Sequence, residues 1–151
     1  MSKFKVKICG IKDTSTIDCC IKNDVDYFGL IFYPKSPRFI NLDQAAILVE
    51  HSKNTNIKPV GVFVNEEVET VISCVQKLDL KTIQLHGVEN NDYINKIKNN
   101  NKIKVIKTIL VRDIDDLKNL EDYETNDFFL LDYKAKKNEL PGGNAKKFDW
   151  S

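Results

Sequence analysis

Short apolar runs alternate along this chain with longer segments that carry a polar face. The runs read as strands at Phe4–Cys9, Tyr27–Tyr33, Lys58–Asn65, Thr82–His86, Lys104–Ile109 and Phe128–Asp132. Between them, Ser15–Asn23, Leu42–Ser52, Val68–Lys77, Asp92–Lys98 and Ile114–Leu120 have helical spacing and predict helices. Thr14 or Ser15 is expected to cap the first helix, and Asn65-Glu66-Glu67 places carboxylates at the positive start of another. The strand starts fall about 25 residues apart, enough for a strand, a crossover helix and two short loops. This rhythm implies a parallel sheet with right-handed crossovers.

An open doubly wound sheet and a closed barrel both fit that rhythm, and the polar positions separate them. Lys5, Lys7 and Cys9 alternate with Val6 and Ile8; Thr82, Gln84 and His86 alternate with Ile83 and Leu85; Lys107 lies between Ile106 and Thr108. An open parallel sheet covered on both faces is nearly all apolar. Period-two alternation instead puts each polar set on one face, expected to be the interior of a barrel, with the apolar set against helices. No Gly-x-Gly-x-x-Gly or Walker loop follows a strand, which removes the usual nucleotide-binding case for an open sheet. The expected fold is α/β, of the (β/α)8 TIM-barrel type, with residues 1–151 as a single partial domain of about six βα units. Only 19 residues follow Asp132, whereas eight units need roughly 200 residues. Strands seven and eight are therefore expected to be missing. The two edge strands would then be unpaired, open to self-association.

Composition narrows the function classes. The 151 residues are 42% hydrophobic and 30% charged, with a net charge of +1, so no global field draws the chain to nucleic acid or an anionic membrane. No apolar run approaches a bilayer span, and the N-terminus moves straight into a strand pattern. Four cysteines and two histidines show no metal spacing, so a cytoplasmic, metal-free protein is expected. Only Arg38 and Arg112 are arginine.

A barrel of this kind carries its active site at the carboxyl ends of its strands. Cys9, His86 and Asp132 end strands one, four and six, and Arg38 follows strand two. Each has a plain alternative: a buried thiol, a loop tie, a helix cap and a solvated charge. Their arrival on one rim favours a site. Cys19, Cys20 and Cys74 fall on helices and read as packing residues. A carboxylic acid facing a thiolate suits a proton-transfer isomerisation, one group donating while the other abstracts.

The chain resembles the phosphoribosylanthranilate isomerase family along essentially its whole length. The matching stretches are Val6-Lys7-Ile8-Cys9-Gly10-Ile11, Gly29 to Arg38, Val60-Gly61-Val62-Phe63-Val64-Asn65, Gln84-Leu85-His86-Gly87, Leu130-Leu131-Asp132 and Phe148-Asp149-Trp150. The resemblance implies an Amadori rearrangement of N-(5-phosphoribosyl)anthranilate, in tryptophan biosynthesis and without a cofactor. Carried over, Asp132 is the general acid that opens the furanose ring, and Cys9 is the general base that takes the C2′ proton. Arg38 would face the anthranilate carboxylate, His86 would line the pocket, and Lys7 would help to set the charge of the site. Gly142 and Gly143 would belong to a glycine-rich substrate loop, where Ala145 departs from the family pattern. Tyr133 departs too, and is expected to crowd the acid. Activity is expected to be impaired by the missing strands. The alternative is a non-catalytic remnant, or a half-barrel that assembles with another chain. A histidine-pathway isomerase would pair two aspartates, and Cys9 opposite Asp132 speaks against it.

Overall fold

The computed structural model describes residues 4–99, 102–118, 120, 123 and 125–134. Six parallel strands form one sheet: β1 (Lys7–Cys9), β2 (Tyr27–Ile31), β3 (Lys58–Phe63), β4 (Thr82–Leu85), β5 (Lys104–Val111) and β6 (Phe128–Tyr133). Each pairs with the next strand in sequence. The order never reverses, as it must in a doubly wound sheet, so this is the barrel type of topology. The crossovers hold α1 (Thr14–Lys22), α2 (Leu42–Ser52), α3 (Val68–Leu78) and α4 (Asn91–Lys98).

Sequence chemistry sets the helix ends. Asp13, rather than Thr14 or Ser15, caps α1; its extended backbone lets the carboxylate accept from Thr16 N at 2.8 Å. Asn41 and Gln44 form a reciprocal capping box on α2. Asn41→Ala removes half of that box and is expected to cost about 1 kcal/mol, read as a lower urea midpoint with an unchanged slope. The helix expected over 114–120 is not α-helical among the described residues: Ile114–Leu117 form a 3₁₀ turn. Asp113 caps it and Asp116 accepts from Arg112 N, so the side chains of this acidic stretch compete with helical bonding.

The core lies between the sheet and the helices. Phe28 and Leu30 of β2, Phe63 of β3, Ile83 and Leu85 of β4 and Val105 of β5 meet Ile17, Leu48, Val71, Val75, Ile94 and Ile97 from α1 to α4. Cys20 and Cys74 pack in this layer as expected, and burial pushes the Cys74 thiol up to about 12. Cys19 does not pack there: it is exposed.

The strand registers then assign the other face. Because parallel partners share a side, Lys7, Cys9, Gly29, Val60, Val62, Gln84, Ile106, Thr108, Leu130 and Asp132 all stand on the side away from the helices. Lys107 departs from the expected inward set. It pairs with Leu85 and shares the helix side with Val105, where it is 1% exposed. Among the described residues β1 and β6 are the sheet edges, and both show apolar side chains to solvent: Val6 and Ile8 at one edge, Phe128 to Leu131 at the other.

Candidate active site

The rim at the carboxyl ends of the strands gathers Cys9, Arg38, His86 and Asp132. Cys9 ends β1 opposite Gly29 of β2. A Cβ on Gly29 would lie 2.6 Å from Cys9 Sγ and 3.2 Å from Lys7 Nζ. The thiol and the ammonium therefore share one small space, kept open by the absence of a side chain. Gly29→Ala must displace the thiol. If Cys9 is catalytic, turnover is expected to fall about 10²-fold, the scale of a 1 Å misplacement, with the fold unchanged by circular dichroism.

Arg38 reaches the same place from the loop after β2. Its Nη1 donates to the Cys9 carbonyl at 3.0 Å, and its stem lies over Gly10. Gly10 has φ +86° and would bring any Cβ within 2.6 Å of Arg38 Cδ. Glycine at position 10 is thus required by both backbone and space.

His86 follows β4, and its N–H donates to Phe63 O at 2.9 Å. The ring is buried. Nδ1 lies 2.9 Å from Gln84 Nε2 and 3.1 Å from Thr108 Oγ1. With Gln84 donating, Nδ1 accepts and the ring proton sits on Nε2. Nε2 faces Asp132 Oδ2 at 3.3 Å, a close contact rather than an aligned hydrogen bond. The imidazole beside it holds the Asp132 carboxyl below the usual carboxylate range, against the upward push of burial; the Tyr133 N–H and the Arg38 guanidinium act in the same direction as His86. Tyr133 does not crowd the acid with its ring. Alternation sends that side chain to the helix side beside Val111, while its N–H donates to Asp132 Oδ1 at 2.8 Å.

Sequence reading missed two members of this cluster. Gln84 and Thr108 orient the His86 ring, and only the shared inward register of β4 and β5 would have pointed to them. Gly142 and Gly143 lie outside the described residues, as do Ala145 and Phe148 to Trp150. Among the described residues no group of three or more His, Cys, Asp or Glu could hold a metal ion, and no helix is long and apolar enough to cross a membrane.

A family profile described as N-(5′-phosphoribosyl)anthranilate isomerase matches residues 6–151. The chain belongs to the phosphoribosylanthranilate isomerase family. The N-(5′-phosphoribosyl)anthranilate isomerase of Paramagnetospirillum magneticum is 40% identical over 97% of this chain and 69% of its own. That of Rhizobium etli is 42% identical over 99% of this chain and 68% of its own. The chain thus spans about two thirds of the length of these relatives. The crystal structure of phosphoribosylanthranilate isomerase from Thermotoga maritima superposes with a TM-score of 0.84 at 34% identity, covering 98% of this chain and 69% of that one. Another such isomerase, 33% identical with a TM-score of 0.79, was solved in complex with reduced 1-(o-carboxyphenylamino)-1-deoxyribulose 5-phosphate, and it covers 87% of this chain and 66% of its own. The (β/α)8-type fold and the isomerase reading are those of the family: an intramolecular oxidoreductase of tryptophan biosynthesis. The non-catalytic alternative is not favoured.

Proposed function

We propose that Cys9 and the His86–Asp132 pair are the base and the acid with which this chain isomerises N-(5-phosphoribosyl)anthranilate. The observation that carries the reading is the 3.3 Å approach of His86 Nε2 to Asp132 on the rim that also holds Cys9 and Arg38. Asp132 alone, held below the usual carboxylate range, would be ionised at neutral pH and unable to donate. The acid is therefore the pair when it carries one proton beyond a neutral imidazole and a carboxylate. That proton makes an imidazolium against Asp132 or a carboxylic acid against His86, and giving it up leaves the neutral ring and the carboxylate. The Thr108 hydroxyl either donates or accepts, so Nδ1 keeps a partner in both protonation states.

In the forward reaction the pair gives its proton to the furanose ring oxygen, and the ring opens to a Schiff base. The Cys9 thiolate then takes the C2′ proton, and the resulting enolamine tautomerises to the ketone. Lys7 brings a positive charge to the place where that thiolate forms. Arg38 offers a planar pair of donors to the anthranilate carboxylate. Gly142 and Gly143 complete the substrate site in this reading. The phosphorylated substrate is confined to the cell interior by its charge, which goes with a cytoplasmic site of action.

The pH profile of kcat/KM tests the acid. Activity is expected to fall on the alkaline side as the acid loses its proton. His86→Asn leaves a lone carboxyl that gives up its proton at lower pH, so the alkaline limb is expected to move toward acid. An alkaline limb that stays in place or moves to higher pH, as that of an Asp132 carboxyl acting alone would once freed of the His86 imidazole, would show that Asp132 donates without His86.

A further inference from the structure

On the helix side of the sheet, directly behind His86, lies a second polar cluster that the reaction does not use. Lys107 of β5 and Glu89 of the loop after β4 are each 1% exposed in their side chains and pair at 2.8 Å. Lys107 Nζ also donates to Gly87 O at 2.6 Å and lies 5.7 Å from the centre of the Tyr123 ring. Glu89 accepts from Gly87 N at 2.9 Å and from Asn65 N at 2.8 Å. The Asn65 side chain closes the ring of contacts by accepting from Val88 N at 2.7 Å. Asn65 takes a left-handed backbone, φ 50°, and a Cβ on Gly87 would lie 2.1 Å from its Oδ1.

A buried ion pair is a poor device for stability. Desolvating two charges offsets most of their attraction, and apolar residues of similar volume do as well or better. What this pair does and apolar residues cannot is hold named backbone groups: both sides of Gly87, the N–H of Asn65 and, through Asn65, the N–H of Val88. His86 immediately precedes Gly87, and its own N–H is tied to Phe63 O. The main chain of His86 is therefore fixed before and after the ring. Strand β5 links the two faces as well. Lys107 points to the cluster while its neighbour Thr108 points inward to His86 Nδ1.

We propose that Asn65, Glu89 and Lys107 are positioning residues: a buried clasp behind the sheet that sets where His86 stands, and so where its Nε2 meets Asp132. The proposal rests on the reading of His86 and Asp132 as one proton-holding pair, and deepens it. None of the three touches substrate.

The chain has only two histidines, and His51 lies on α2 beside Asp18, away from the clasp. The ring nitrogen resonances of the ¹⁵N-labelled chain therefore give a signal and an internal control in one spectrum. In Lys107→Met and in Glu89→Gln, both His86 ring nitrogens are expected to shift, reporting a changed tautomer balance, while those of His51 stay. A purely structural cluster would lower the thermal midpoint and leave the His86 resonances in place, and that result overturns the proposal. Where Lys107→Met does not fold, Asn65→Gly carries the test. It accepts the left-handed backbone freely and removes only the bond to Val88. A His86 shift in Asn65→Gly supports the clasp, and an unmoved His86 overturns it. Failure of the acid assignment itself would leave these shifts intact and appear only in the pH profile.

Discussion

Asp132→Asn is expected to lower turnover of phosphoribosylanthranilate by roughly 10²–10⁴-fold, the range for a lost general acid, with little change in KM. The amide keeps the shape of the carboxylate and can still accept from Tyr133 N. What it loses is the extra proton that the carboxyl and the imidazole hold between them for donation, and that proton matters only as the furanose opens. A contact made only in the transition state lowers kcat and kcat/KM together. Cys9→Ala is expected to fall in the same range by the same reasoning, at the later step. A rise in KM at constant kcat for either variant would assign that residue to binding instead. Steady-state rates on the two variants separate these outcomes.

Lys107→Met is expected to carry the largest stability cost of any single change described above. It leaves Glu89 ionised in a site that is 1% exposed, and an orphaned buried charge costs about 3–5 kcal/mol. Glu89→Gln in the Lys107→Met background removes the stranded charge and keeps an acceptor for Gly87 N and Asn65 N. The double variant should recover most of the loss. Urea unfolding of the two single variants and the double variant gives the coupling directly. A cost for Lys107→Met below about 1 kcal/mol, the scale of an exposed pair, would mean that water reaches the pair in solution.

The strand rhythm and the alternation in β1 and β4 were legible in the sequence because each face of a strand meets a different environment. Lys107 misled the same logic. A charged residue on the helix side is tolerated only with a buried partner, and Glu89, 18 residues away, leaves no local mark beside it. Tyr133 failed for a simpler reason: its neighbour Asp132 defined the inner face, so alternation sends the tyrosine outward. The cap of α1 shifted by one residue to Asp13, whose carboxylate accepts from both the backbone and two hydroxyls. Cys9, Arg38, His86 and Asp132 were readable as strand-end residues, and their roles came from the family resemblance. The contact between His86 and Asp132 was not readable, because it spans two strands and depends on the ring orientation set by Gln84 and Thr108. Nor was the exposure of Val6 and Ile8, which alternation assigns to the helix side although no described helix covers them.

The division of labour between Cys9 and Asp132 is tested most directly by trapping the ring-opened intermediate. Each variant is mixed with substrate and a hydride reagent that reduces Schiff bases, and the reduced adduct is measured by mass spectrometry. If the acid opens the ring before the base takes the C2′ proton, Cys9→Ala accumulates the adduct above the uncatalysed level and Asp132→Asn does not. Adduct accumulating in Asp132→Asn but not in Cys9→Ala would contradict the assignment.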